Sequence, residues 1–407
     1  MDYYNKYFEG IFWIPDNEDK KIISTLYIDD KGIATITSLQ SFEPETSVLH
    51  GNKNLALVLG YLNCHDESKT YSIKLYDVYK NYQLTGSLNK FKYTSNLAII
   101  TPSFDRNIND RTYNTIMLNS DLINNWVPFT GFNFKTDIED SFEINHLYKQ
   151  PDIINLFKNK DFDIYIFFRA SSNFKGRRSS SINESVFINI KTAESFEIKS
   201  SKNIIASIEH LFNLILFTPF YSNSIELRTT DSINYKLLKR RNKLETNITQ
   251  KINFKFFKDN SQKIFSKWFE KQVKLELAIL NFFSVYGNNE VFVENKFLTY
   301  ISILENYHKN NIKKDDCLKT RLNYLLKNSC ISHNINDIDK FSETLKITRN
   351  YHTHLEEKHK EKSLNSLEIH QANYLLEFII REIFLGEVGI KEPLKIPSNV
   401  EKYLVKI

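Results

Sequence analysis

The sequence predicts an α+β protein in which an N-terminal, antiparallel, β-sandwich-like domain precedes an all-α helical bundle. Two observations carry this: apolar residues recur at every second position through about the first 240 residues, and at every third or fourth from Phe265 onward. A third is the scarcity of Gly (10) and Pro (8) against 31 Phe and 22 Tyr in 407 residues, which favours large packed cores over disordered linkers.

In the first half, Phe162, Ile164, Ile166 and Phe168 alternate with Asp163, Tyr165, Phe167 and Arg169, as in a strand with one buried face. Tyr71, Ile73 and Leu75 repeat the pattern, and the unbroken apolar run 55–62 suits a central strand. Phe196 and Ile198 alternate with Glu197 and Lys199, which predicts another strand there. Polar turns such as Asp29-Asp30-Lys31-Gly32 separate short strands, as in a sandwich or barrel-like sheet. One helix is expected from about 203 to 217.

The pattern changes at Lys239-Arg240-Arg241-Asn242-Lys243, a charge run that reads as a solvated connector. The predicted domains are therefore 1–245 and 255–390, with 391–407 as a C-terminal tail. In the second half Phe265, Trp268, Phe269, Leu275, Ile279 and Phe282 mark one amphipathic stripe that ends near Gly287. Phe297, Leu298, Ile301 and Leu304 mark a second, and Leu318, Leu322, Leu325 and Leu326 a third. A fourth helix is expected from 341 to about 359. A fifth carries Leu364, Leu367, Leu375, Leu376, Ile379, Ile380, Ile383 and Phe384, closed by Gly386 and Gly389. Five such helices within about 125 residues make a compact bundle.

Composition narrows the function. The net charge of +5 permits nucleic acid as a partner without requiring it. Cys64, Cys317 and Cys330 lie too far apart in sequence for a disulfide framework or an ordinary cysteine zinc site, and suit a reducing compartment. No basic and apolar leader opens the chain, and the longest apolar stretches, such as 211–220, fall short of the roughly 20 residues that span a bilayer. A cytoplasmic protein without membrane contact is expected. Phosphate-loop, dinucleotide, H-E-x-x-H and G-x-S-x-G motifs do not occur, so no nucleotide cofactor or metal is expected. The paired acids Asp315-Asp316 and Glu356-Glu357 read as solvated surface.

The chemistry-bearing pattern is Thr348-Arg349-Asn350-Tyr351-His352-Thr353-His354 on the fourth helix. Asn350 and His354 are one turn apart and share a face, and the long Arg349 side chain can reach round to it. No other Arg in the chain has a His five positions on. Metal-free RNA cleavage needs a 2′-hydroxyl deprotonated, a 5′-oxygen protonated and phosphorane charge balanced. His suits the proton transfers and Arg the phosphate, with Asn to orient either. His352, one turn from Arg349, is a candidate second participant.

Arg349-Asn350-x-x-x-His354, late in a bundle of about five helices, resembles the signature of HEPN ribonucleases, in which Asn commonly follows the Arg. The segment 297–305, ending Leu304-Glu305, resembles that family's Leu-Glu helix. Tyr7-Phe8-Glu9-Gly10-Ile11-Phe12-Trp13-Ile14-Pro15-Asp16, the Asp30-Lys31-Gly32 turn and Asn125-Trp126 resemble the N-terminal domain of ApeA-type anti-phage proteins. The resemblance implies an all-α HEPN domain, metal-independent cleavage leaving 2′,3′-cyclic phosphate ends, and dimerisation that joins two motifs in one cleft. It further implies abortive-infection toxicity, tRNA as a target, and an N-terminal domain that senses a phage cue. Arg349 would stabilise phosphate, His354 move the proton, Asn350 orient, and Glu305 hold the Arg in place. His308, a turn beyond Glu305, is expected at the surface, as are Lys358, Lys360 and Lys362 among their neighbouring glutamates. The alternative is a non-catalytic module that binds RNA or protein and dimerises through the helical domain.

Overall fold

The computed structural model describes residues 3–42, 54–64, 67–85, 88–137, 143–174, 180–239, 252–391 and 394–404. The charge run from 240 to 243 lies outside them. The chain divides into two compact units, Met1–Ile205 with Tyr221–Lys243, and Ala206–Phe220 with Leu244–Ile407.

The first unit is antiparallel and β-rich. Its first seven strands are β1 (Lys6–Trp13), β2 (Ile22–Ile28), β3 (Ala34–Ser38), β4 (Leu55–Cys64), β5 (Glu67–Thr85), β6 (Leu88–Ser95) and β7 (Leu97–Thr101). After β8 (Tyr113–Asn119) and a short helix, α1 (Asp121–Trp126), come β9 (Phe132–Asp137) and β10 (Glu143–Tyr148), which pair with each other. β11 (Ile154–Lys158), β12 (Phe162–Phe174), β13 (Ser180–Phe196), helix α2 (Ile198–Leu216), β14 (Ser224–Arg228) and β15 (Asn234–Lys239) follow.

Of the sandwich or barrel-like sheet that the sequence suggests, the described strands follow the barrel-like form: one sheet of 13 runs β11-β12-β13-β8-β14-β15-β7-β5-β4-β1-β2-β3-β6 and closes partly on itself by a β5–β6 pairing. The closing strand is β5. Its residues 72–76 pair with β7 and 79–85 with β6, and between them Asp77 adopts a left-handed φ of 50°. Asp tolerates that conformation better than most side chains, and a single such residue bends the strand so that its two ends reach different neighbours. The resulting barrel-like ring packs Phe8, Phe12, Leu26, Ile36, Leu62, Tyr71 and Ile73 into one core. Gly60, opposite Phe12 in the β1–β4 register, leaves room for that ring, since a Cβ there would stand 2.6 Å from it.

The predicted turn at Asp29 is built by its own side chain: Oδ1 accepts from Lys31 N at 3.0 Å and Ile33 N at 2.7 Å, and Gly32 takes a φ of 85°. The strand predicted through Phe196 and Ile198 ends at Phe196. Ile198 opens α2, where a buried residue beside exposed Glu197 and Lys199 mimics strand alternation for one period only.

The second unit holds the C-terminal part of α2 and seven further helices among the described residues: α3 (Phe254–Lys274), α4 (Glu276–Val285), α5 (Val293–Asn311), α6 (Leu318–Lys327), α7 (Ile338–His354), α8 (Ser366–Glu387) and α9 (Ser398–Leu404). The stripe predicted as one helix from Phe265 to Phe282 is two, broken at Leu275 (φ −108°, ψ 12°). Residues 391–407, set apart as a tail, carry α9 with Val400, Tyr403 and Leu404 buried.

α8 runs along α5, burying Leu375, Leu376, Ile379, Ile380 and Phe384 against Phe297, Tyr300, Ile301 and Leu304. An Asn365–Glu368 capping box starts α8. Beyond it, Gly389 N bonds Gly386 O and Ile390 N bonds Leu385 O, with Gly389 at φ 85°, so the helix closes in a Schellman turn that only glycine adopts freely. Buried Arg381 donates to the terminal α2 carbonyls Leu214 O at 2.6 Å and Ile215 O at 3.3 Å and lies 4.0 Å over the Phe217 ring. A guanidinium at that point satisfies orphan carbonyls that burial would otherwise leave unpaired. No described helix is long and apolar enough to cross a membrane.

Candidate functional site

α7 carries the motif. Asp337 Oδ1 accepts from Lys340 N at 2.9 Å and starts the helix. Phe341, Ser342, Leu345 and Thr348, spaced three and four apart, form its buried face. Thr348 sets the rotation. Its hydroxyl donates to Thr344 O at 2.8 Å and accepts from Leu364 N at 3.0 Å. Arg349 and Asn350, the next residues, consequently stand half-buried at the edge of that face.

The Arg349 Nη1 donates to Asn350 Oδ1 at 3.2 Å, and its Nη2 lies 3.8 Å from Glu305 Oε2 on α5. The other Glu305 oxygen accepts from Arg321 Nη1 of α6 at 3.2 Å. One carboxylate from α5 thus faces two guanidinium groups, one from α6 and one from α7. Arg321 is buried and further anchored by a 2.7 Å bond to Lys314 O, while the Arg349 side chain is 32% exposed.

His354 is the last residue of α7, which ends about five residues before the expected end near 359. Leu355 takes a left-handed φ of 52° and donates to Tyr351 O at 2.7 Å. A 3-10 segment, Glu357–Lys362, follows in place of the predicted helix end. The His354 ring is exposed, and among the described residues no hydrogen bond or ion pair engages it. Its surroundings are charged: Lys358 hydrogen-bonded to Glu356 holds that carboxyl below its usual range, with weaker help from His359 and His354. His352 is half-buried, with Nε2 enclosed and unpartnered and its ring edge-on to Tyr351 at 5.0 Å.

The fold therefore brings Arg349, Asn350 and Glu305 together and leaves His354 at the end of the same helix, open to solvent. His308 is not at the surface as expected. It is fully buried, 3.8 Å from Asp316 and edge-on to Tyr324 at 5.1 Å, and burial lowers its pKa. Lys358, Lys360 and Lys362 are exposed. Among the described residues no three His, Cys, Asp or Glu side chains are placed to share a metal ion.

Two family models match the chain: ApeA N-terminal domain 1 over residues 8–268, and Apea-like HEPN over residues 177–394. The chain belongs to the ApeA-like HEPN family. Membership in this ApeA-like family points to a nuclease of anti-phage defence. The HEPN match starts well before α3 and includes α2, and it contains Glu305, Arg321, Arg349 and His354. Gly10 and Trp13 fall within the ApeA N-terminal match, in β1. Neither a curated protein nor a solved structure matches the chain.

Arg321 is the site residue that periodicity passes over. It stands inside the stripe of Leu318, Leu322 and Leu325, where an arginine buried among leucines signals a carboxylate partner.

Proposed function

We propose that this ApeA-like chain is a metal-independent endoribonuclease of abortive-infection defence, cutting tRNA or other cellular RNA when a phage cue acts on its N-terminal unit. The observation that carries the reading is the Arg349 guanidinium, held half-buried between Asn350 and Glu305 on the helix that ends in exposed His354. In this reaction the substrate 2′-oxygen attacks phosphorus as its proton leaves. The bond from phosphorus to the 5′-oxygen breaks, and that oxygen takes up a proton. His354 moves one of these protons, and Arg349 binds two phosphate oxygens through its planar fork. Asn350, whose carbonyl oxygen is taken by Arg349, retains amide N–H donors to orient His354 or the phosphate. Glu305 keeps Arg349 in place, and His352 is a supporting group.

An exposed His354 that no described side chain engages suits a site completed by a second copy across the α7 face, so the acting species is a homodimer without cofactor. The first domain, about 1–245, serves as the sensing part and the helical domain as the effector, in the cytoplasm.

The test is digestion of total tRNA by purified protein in EDTA, with and without phage lysate, followed by end-group analysis. Fragments with 2′,3′-cyclic phosphate and 5′-hydroxyl ends are expected. Fragments with 5′-phosphate ends, or a strict need for added metal, contradict the mechanism. Retention of tRNA with no product under either condition favours a non-catalytic binding module, a reading that the engagement of Arg349 by both Asn350 and Glu305 would suit.

A further inference from the structure

We propose that Arg321 is a positioning residue for Arg349: by sharing Glu305, it leaves the Arg349 guanidinium free to bind phosphate. The inference rests on the reading of Arg349 as the phosphate ligand. Its ground is the arrangement of one carboxylate between two cations, with Glu305 Oε1 3.2 Å from Arg321 and Oε2 3.8 Å from Arg349.

The two arginines are not equivalent. Arg321 is buried on α6 and tied to Lys314 O, so it cannot leave the carboxylate. Arg349 is the more exposed, and its distance to Glu305 is too long for a hydrogen bond. The anchored arginine takes the larger share of the carboxylate charge, and the outer one keeps a net positive field directed at solvent. Without Arg321, Glu305 and Arg349 would form a neutral pair, close together, and an incoming phosphate would have to break it. A merely structural role fits Arg321 poorly. Its Nε is buried without a partner, a desolvation cost that a leucine in the same stripe would avoid.

The test measures binding of a 2′-deoxy-substituted, uncleavable RNA oligonucleotide by fluorescence anisotropy, so no trigger or turnover is needed. Arg349→Ala and Arg321→Met are each expected to weaken binding roughly tenfold, the size of losing one charge-assisted phosphate contact. Glu305→Gln added to Arg321→Met should restore affinity to within about twofold of wild type, because the neutral amide keeps an oxygen to hold Arg349 in place without competing for its charge. Lys327→Met removes one exposed charge from the same helix without touching Glu305 and should stay within about twofold of wild type. Arg321→Lys, which keeps the charge but loses the planar fork, should fall between and be rescued by the same Glu305→Gln change; it replaces Arg321→Met if that variant does not fold. The proposal is overturned if Arg321→Met binds like wild type while Arg349→Ala is weakened. It is equally overturned if Glu305→Gln fails to rescue, or if Lys327→Met is as weak as Arg321→Met. If Arg349→Ala itself binds like wild type, the phosphate role of Arg349 fails, and this proposal fails with it.

Discussion

Thr348 and Leu364, 16 residues apart, are joined by a 3.0 Å hydrogen bond from the Leu364 amide to the Thr348 hydroxyl, at a point where Thr348 is fully buried. That bond ties the start of the segment leading into α8 back onto α7, one residue before Arg349. Thr348→Val keeps the shape and removes the acceptor, leaving a shielded N–H unpaired. It should cost about 1–2 kcal/mol of unfolding free energy and reduce RNA cleavage by loosening the frame of Arg349. Chemical denaturation checks the first effect, and an unchanged midpoint would contradict it.

Leu355 ends α7 with a φ of 52° while its side chain is 74% exposed. Little burial is lost if that side chain is removed, and the left-handed backbone disfavours a Cβ. Leu355→Gly should therefore raise stability by roughly 0.5–1 kcal/mol, and Leu355→Val should lower it by about 1 kcal/mol. Thermal melts of the two variants should move in opposite directions.

Glu377 lines a cavity of about 260 Å³ with Phe217, Tyr286 and Tyr374, and accepts a 3.3 Å bond from Tyr300. Burial raises its carboxyl from 4.5 to about 7, opposed weakly by Lys296 and Tyr300. In that window the folded protein holds a proton that the unfolded chain has released, so the Glu377 contribution to stability falls as pH rises from 4.5 to 7. Glu377→Gln should melt higher than wild type above pH 7, by a margin that shrinks to nothing near pH 4.5. A margin independent of pH would refute the assignment.

His308 presents the opposite case. Its pKa is held below 6.5 by burial, both ring nitrogens lack hydrogen-bond partners, and Asp316 is 3.8 Å away. The unfolded chain binds the proton first, so stability is full above pH 6.5 and falls as the pH drops below it. His308→Phe should leave stability at pH 8 the same or higher and lessen the acid loss, measurable as a widening gap in melting temperature toward pH 5.

Much of this organisation is legible in residue spacing. The alternation at Phe162–Phe168 marks β12, and Phe341, Leu345 and Thr348 mark the buried face of α7. His308 was legible too: it continues the stripe of Phe297, Ile301 and Leu304 at helical spacing, and its polar side chain masks that position. Closure of the β-ring was not, because it depends on a bend at Asp77 inside an otherwise regular strand and on pairing with residues some distance along the chain. Nor was the break at Leu275, which involves neither Gly nor Pro. In the site, Arg349, Asn350 and His354 stand out by spacing. The second cation on Glu305 does not, since contact between α5 and α6 side chains is a tertiary fact. The point at which α7 stops was equally hidden, because it turns on a left-handed leucine.

We propose that Arg349 and His354 cleave RNA. It is tested most directly by treating tRNA with wild type, Arg349→Ala and His354→Ala proteins in EDTA plus phage lysate, with melting curves to verify folding. Discrete fragments are expected from the wild type, and at least a hundredfold less product from either variant. Cleavage at the wild-type rate by a folded His354→Ala protein would contradict it.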